Sequence, residues 1–324
     1  MAKTRLRLAL RDWDHVMPLV TGAVRAKGIE LDLDLRAVTP NVLDEPDIDG
    51  GETSFSRYAL AHAGGDDRLI GLPVFVMRGF RQRCVLVRAD SGLTSAAQLA
   101  GTRIGLTGWV DSGNTWTRAL LREAGVPLDS IRWTIGPLSA GETGKDRVGP
   151  FSLPHNVDVL GEGDSLTAGL ADGRFDAIFT PFMPEEMFGP DSRFRHLYRG
   201  YPGAEEEYFL RNGFVPGIHL LTVKRAAVQG FPDVLDAVAA AFDAAKHHWW
   251  SRRRLLADTT PWLLDQLRHD ALLFGEDWMP YGLTENKAMI EAFCAELNGQ
   301  GIAPDPVDAE ALFTDFVQLT NGAS

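Results

Sequence analysis

Strand-length apolar runs alternate with helix-length segments over the first two thirds of this chain, and helix takes over in the last third. That order admits few folds, because a strand followed by a helix tends to return as a parallel strand of the same sheet. Residues 6–10, 29–35, 69–76 and 84–88 read as strands. Segment 15–26 has helix length, with Pro18 in its first turn, where a missing N–H costs little. Segment 54–63 reads as a helix closed by Gly64 and Gly65. A short helix over 94–101 precedes a strand over 103–106, a Gly- and Ser-rich turn over 107–113 and a helix from about 114 to 124. Residues 131–135 form a strand, 136–154 an extended loop, 165–171 a short helix, 176–180 a buried strand and 217–223 another strand. Four helices follow, over 234–250, 261–273, 284–300 and 307–319. The expected class is α/β with mainly parallel sheets.

The length, 324 residues, suits two domains at about 150 residues each. Lys and Arg number 32 against 44 Asp and Glu, a net charge of −12. Nucleic acid as a partner needs a basic footprint that this balance lacks, and an anionic membrane surface would repel it. Of the 32 basic residues 26 are Arg, the side chain that reads a carboxylate with a two-pronged fork. Cys84 and Cys294 stand in no CxxC and no metal-like spacing with His, so both are expected as reduced core residues. Charges at Lys3, Arg5, Arg7 and Arg11 interrupt any apolar signal-peptide core, and no run of 18 apolar residues occurs. With Met1 as the natural start, the expected location is the cytoplasm.

Several motifs go further. The stretches LAGTRIGLTGWVDSGNTWTRALLREAGV, LADGRFDAIFTP and GIHLLTVKR resemble nitrate/taurine-type binding proteins, which have the second type of periplasmic-binding-protein fold. Five stretches resemble the 4,5-dihydroxyphthalate decarboxylase family. They are RDWDHVMPLVTGAVRAKGIEL, GETSFSRYALA with GLPVFVMRGFRQR, the helix carrying Trp116 and Arg118, GFVPGIHLLTV, and GEDWMPYGLTENKAMIEAF. They run from residue 11 to about 293, and the last, with Tyr281, Gly282 and Asn286, is the most distinctive. Departures are Gln82, where the family reads His, and Asp111, Ser112 and Gly113 in the turn before the helix. The resemblance implies a two-lobed α/β periplasmic-binding-protein-like fold of type 2, with a ligand cleft between the lobes. Lobe one would be 1–102 plus 216–324 and lobe two 103–215, hinged near 90–101 and 212–217.

Candidate site residues follow from position. Ser112, Asn114 and Thr115 open a helix after a strand and a glycine-containing turn, where free N–H groups favour an anion. Ser112 as a plain N-cap is the alternative. Ser54 and Ser56 make the same case at the other helix start, and two such N-termini facing each other suit a dianion. Arg78 and Arg81 follow a strand and flank Phe80, whose ring is expected to stack on an aromatic ligand. Trp116 lies in the first turn of its helix. Asp14 and His15, beside Trp13, sit where the first strand ends, Glu52 precedes the Ser54 helix, and His219 lies in the strand 217–223. The cluster His247, His248, Trp249, Trp250, Arg252, Arg253 and Arg254 reads as a helix end and interface. Metalloprotease, Walker, nucleophile-elbow and dinucleotide fingerprints are absent from the sequence.

The implied chemistry is non-oxidative decarboxylation of a hydroxylated aromatic carboxylate, such as 4,5-dihydroxyphthalate to 3,4-dihydroxybenzoate. It needs an acid at the ipso carbon, a partner for the ring hydroxyl and a clamp for the remaining carboxylate. His15 and His219 are the expected acid and base, with Asp14 or Glu52 orienting one of them. No cofactor is expected, since the dihydroxylated ring is its own electron sink. A divalent metal on Asp14, His15, Glu52 and His219 is the alternative use of the same side chains. The expected partner is a small aromatic dicarboxylate, with a homo-oligomer as a further possibility. A non-catalytic solute-binding protein or a cytosolic sensor of a small organic anion is the competing function, and a thiamine-pyrimidine synthase lacks its Cys-rich motif here.

Overall fold

The computed structural model describes residues 4–141, 153–231 and 233–321. In chain order the elements are β1 (Thr4–Leu10), α1 (Met17–Val20), β2 (Ile29–Leu35), β3 (Gly50–Ser54), α2 (Phe55–Ala63), β4 (Leu69–Arg78), β5 (Val85–Arg88), β6 (Arg103–Leu106), α3 (Ser112–Glu123), β7 (Arg132–Ile135) and β8 (Val157–Val159). Then come α4 (Leu166–Ala171), β9 (Ala177–Phe179), β10 (Phe194–His196), α5 (Tyr201–Asn212), β11 (Gly217–Lys224), α6 (Arg225–Val228), α7 (Asp233–Leu255), α8 (Leu263–Phe274), α9 (Leu283–Gly299) and α10 (Thr314–Asn321).

Two compact units share these elements. One comprises Met1–Arg78, Gly217–Cys294 and Val307–Ser324; the other comprises Gly79–Pro216 and Ala295–Pro306. Residues 79–102, 216 and 295–306 therefore fall on the other side of the division from the sequence expectation. For the first segment the cause is pairing: β5 bonds to β9 and β10, so it belongs to the second sheet.

The first unit carries a five-stranded sheet in the order β2-β1-β3-β11-β4. β1 is parallel to β2 and β3, while β11 is antiparallel to both β3 and β4. Leu6, Leu8 and Leu10 of β1, Ile70, Leu72, Val74 and Val76 of β4, and Leu235, Val238 and Phe242 of α7 form its core. Each such fully buried side chain contributes about 1.5–3 kcal/mol. β3, sequence GGETS, has no apolar run and escapes sequence reading. Its glycines are what let it approach: a Cβ on Gly51 would lie 2.1 Å from the carbonyl oxygen of Ala9. Segment 15–26, expected as one helix, is helical only over Met17–Val20, because Gly22 takes a left-handed backbone at φ 74° and turns the chain.

The second unit carries a six-stranded sheet in the order β10-β5-β9-β6-β7-β8, in which β5 alone opposes its neighbours. Leu86, Leu166, Leu170, Phe175, Ile178 and Phe194 pack one core cluster, and Trp133 is fully buried edge-on to Phe179 at 5.6 Å. β8, β10 and α5 were not expected, the strands being three residues each and too short for a period. Most of the expected loop 136–154 lies outside the described residues. Cys84 and Cys294 are buried and free. Among the described residues no helix is long and apolar enough to cross a membrane.

Candidate functional site

In the first unit β1, β3 and β4 end at the sheet edge where β11 begins, because β11 runs the other way; His219 pairs across with Ser54 on one side and Met77 on the other. Polar side chains converge at this edge around Glu52, which has no exposed surface. Its carboxylate accepts from His219 Nδ1 at 2.6 Å, Arg11 Nη1 at 2.7 Å, Trp13 Nε1 at 2.8 Å and the Arg11 backbone N–H at 3.1 Å. His219 and the Arg11 guanidinium share Oε1, so Arg11 Nη1 also comes within 3.1 Å of His219 Nδ1. Burial pushes the Glu52 carboxyl up, but the His219 hydrogen bond and the His219 and Arg11 charges outweigh it and hold it at about 2. The carboxylate is thus ionised, and it fixes the Nδ1 edge of His219 and leaves Nε2 for other work.

His15 is buried on the same edge, edge-on to Trp249 of α7 with ring centroids 5.9 Å apart. It donates to the Val76 carbonyl, and its Nε2 has no hydrogen-bond partner among the described residues. Burial lowers its pKa to about 4, against the Glu52 charge and with the help of the Lys246 charge. His15 is therefore a neutral imidazole with an open acceptor nitrogen. Asp14 is exposed, and of the two carboxylates expected to orient a histidine it is Glu52 that bonds to one. Ser54 and Ser56 meet through their hydroxyls at 3.1 Å where β3 turns into α2.

Arg78 does something other than expected. Its Nη2 donates to the Pro280 carbonyl at 2.8 Å and to the Asn286 side chain. Asn286 in turn donates to the carbonyls of Pro280 at 2.9 Å and Gly282 at 2.7 Å. Lys246, fully buried, donates to Asp277 at 2.6 Å and to the Met279 carbonyl at 3.1 Å, and lies 4.4 Å from the Tyr281 ring centre. The half-buried Arg78 and the buried Lys246 thus tie down segment 277–286, the most distinctive stretch of the sequence.

The second unit presents its own polar group at the start of α3. Asp111 takes the N-cap position and Ser112 is the first helical residue, so Ser112 is not the N-cap. Ser112, Asn114, Thr115 and Trp116 are buried. Asn114 Nδ2 donates to Thr107 Oγ1 at 3.1 Å and the Gly108 carbonyl at 2.8 Å, leaving Oδ1 without a partner among the described residues. Arg81, also buried, bonds Thr117 Oγ1 through Nε at 3.2 Å, and its Nη2 has no partner among the described residues. A Cβ on Gly113 would lie 2.9 Å from that Nη2, so only glycine lets the fork lie on the first turn. Phe80, the ring expected to stack on a ligand, is buried and edge-on to Tyr208 at 6.1 Å. Trp116 packs on Phe214, and Arg118 is held by Gln300 at 2.8 Å and the Trp109 carbonyl at 2.7 Å, a structural use.

The aromatic and basic cluster around Trp249 lies in the last turns of α7, which extends five residues beyond the expected end. Among the described residues no group of three or more His, Cys, Asp and Glu side chains is arranged to hold a metal ion. Arg11 is the participant that sequence reading missed; its position directly after β1, level with the strand that carries Glu52, was the available signal.

No family model matches the chain. The architecture is that of the periplasmic solute-binding proteins. The aliphatic sulphonate binding protein of Escherichia coli superposes with a TM-score of 0.56 at 15% identity, covering 96% of this chain and 92% of that one. The desulfurization enzyme DSZB superposes with a TM-score of 0.54 at 17% identity, covering 96% of each chain. The fold thus appears in a binding protein and in an enzyme alike, and does not choose between them. Sequence narrows the class: a 4,5-dihydroxyphthalate decarboxylase of Comamonas testosteroni is 30% identical over 327 residues, covering 97% of each chain. This chain belongs to the 4,5-dihydroxyphthalate decarboxylase family.

Proposed function

We propose that this protein removes one carboxylate, as CO2, from a hydroxylated aromatic acid, with 4,5-dihydroxyphthalate as substrate and 3,4-dihydroxybenzoate as product. The observation that carries the reading is the buried, ionised Glu52 bonded to His219 at 2.6 Å, with a second, neutral histidine on the same sheet edge. An aryl anion is too unstable to form freely, so the ring hydroxyl para to the departing carboxylate must push electrons to the ipso carbon. His15, neutral and with Nε2 open, accepts the hydroxyl proton. His219, held through Nδ1 by Glu52, delivers a proton from its other nitrogen to the ipso carbon. The dienone so formed loses CO2, the C–C electron pair returns to the ring, and the phenolate recovers a proton. The carboxylate that stays behind calls for N–H or guanidinium donors. The Ser54–Ser56 start of α2, in the unit that carries both histidines, offers N–H donors, and Arg81 on the first turn of α3 is a guanidinium fork of the kind that reads a carboxylate.

The second reading is an anion-binding protein without chemistry, favoured by the same Arg81 and α3 arrangement and by the fold of the sulphonate-binding relative. His15→Asn and His219→Asn separate the two. Turnover should fall about 10²–10⁴-fold for the proton donor, with substrate affinity nearly unchanged. A chelator control belongs beside them. Full activity in both variants would end the histidine mechanism, and activity restored only by added metal would replace it with a metal-dependent one.

A further inference from the structure

The hydroxyl of Tyr281 is buried and has no hydrogen-bond partner among the described residues. A buried donor left unsatisfied destabilises a fold, and such groups are rare in native proteins. The side chain is nevertheless held in place. The Gly282 N–H donates to the Pro73 carbonyl of β4 at 2.9 Å, and the Lys246 ammonium lies 4.4 Å from the Tyr281 ring centre. Burial pushes the Tyr281 phenol above its ordinary range, so the hydroxyl keeps its proton and is a donor.

Nε2 of His15 is buried and open in the same way. A chain of neighbours links the two residues. His15 is edge-on to Trp249 at 5.9 Å, Trp249 stacks on Trp250 at 6.5 Å, and Lys246 Nζ lies 5.8 Å from the Trp250 ring centre before it reaches Tyr281. The Lys246 charge acts on His15 as well. All five residues belong to the first unit. One open atom accepts and the other donates, which is what two hydroxyls on adjacent ring carbons require. We propose that His15 and Tyr281 read the two adjacent hydroxyls of the substrate, and that Tyr281 is the residue that selects a dihydroxylated ring over a monohydroxylated one. The assignment rests on the decarboxylation proposed above. The hydroxyl para to the departing carboxylate gives its proton to His15 Nε2. Its neighbour donates to the oxyanion so formed and accepts from the Tyr281 hydroxyl, which polarises that neighbour and strengthens the bond it gives. Tyr281 itself transfers no proton. A ring with one hydroxyl leaves the Tyr281 donor unsatisfied.

Tyr281→Phe on the full chain tests this with two pairs of ligands. 4-Hydroxyphthalate keeps the hydroxyl para to the departing carboxylate and lacks its neighbour. The parent should favour 4,5-dihydroxyphthalate over it in kcat/KM by about 10²-fold, and the variant should lose at least about tenfold of that preference. Calorimetric titration with 3,4-dihydroxybenzoate and 3-hydroxybenzoate repeats the comparison without chemistry. The parent should bind the first about tenfold more tightly, and the variant should bind the two alike. The melting temperature of Tyr281→Phe should equal or exceed the parent's, since the hydroxyl removed has no partner among the described residues. An affinity preference unchanged in the variant would overturn the proposal, as would a fall in melting temperature, which would give the hydroxyl a structural partner. A parent that releases no CO2 from either phthalate would end the decarboxylase reading, and the affinity comparison would then decide the Tyr281 assignment by itself.

Discussion

Nδ1 of His219 lies 2.6 Å from Oε1 of Glu52, a carboxylate that has no exposed surface and also takes hydrogen bonds from Arg11 and Trp13. Four donors on one buried carboxylate make it a hub whose loss is felt by several strands at once. Glu52→Gln removes the charge and leaves Arg11 and His219 facing an amide. Both retain some exposure, so the cost is about 1–3 kcal/mol rather than that of a fully buried broken pair. Chemical denaturation reads it, and a shift within about 0.5 kcal/mol of the parent would show that the hub carries no structural load.

Acid should destabilise the protein in two stages. His15 has a folded pKa of about 4, below its usual 6.5, so the unfolded chain takes up the proton first; stability is full above 6.5 and is lost as pH falls toward 4. Glu52 is held near 2, so its contribution is full above the ordinary carboxylate value of 4.5 and is lost on falling through 2. The first stage amounts to about 3 kcal/mol. Urea midpoints between pH 4 and 7 measure it. His15→Gln should flatten that slope, and an unaltered slope would assign the acid sensitivity to other groups.

Arg78 and Arg81 should separate in function. Arg78→Ala strips a donor from the Pro280 carbonyl and Asn286, and should cost about 2–3 kcal/mol of stability. Arg81→Ala should weaken binding of an aromatic dicarboxylate by about 2–4 kcal/mol, because its Nη2 is buried and open. Calorimetric titration and thermal melts, run on both variants, decide the assignment. The reverse pattern would exchange the two roles.

Strands with plain apolar or alternating patterns were legible in the sequence to the residue, as in β2 and β6. β3 was not, because two glycines chosen for close backbone approach leave no hydrophobic signature. His15 was legible as a strand-end residue, because β1 has a plain apolar pattern; Glu52 showed only as a carboxylate ahead of the Ser54 helix, and His219 as a residue within the strand 217–223. Arg11 was not, because its pairing with Glu52 depends on the β1–β3 register, which sets Ala9 against Gly51. Nor was the tie on segment 277–286: Arg78 and Pro280 are 202 residues apart, and no local pattern links them.

Decarboxylation, as opposed to mere binding of an anion, separates the two functional readings. Purified protein mixed with 4,5-dihydroxyphthalate, with CO2 and ring products followed over time, tests it most directly. Many equivalents of CO2 and of 3,4-dihydroxybenzoate per protein chain are expected, with one solvent hydrogen fixed on the ring for each CO2 released. Saturable binding of the dicarboxylate with no CO2 evolved would contradict the account and leave a binding protein in its place.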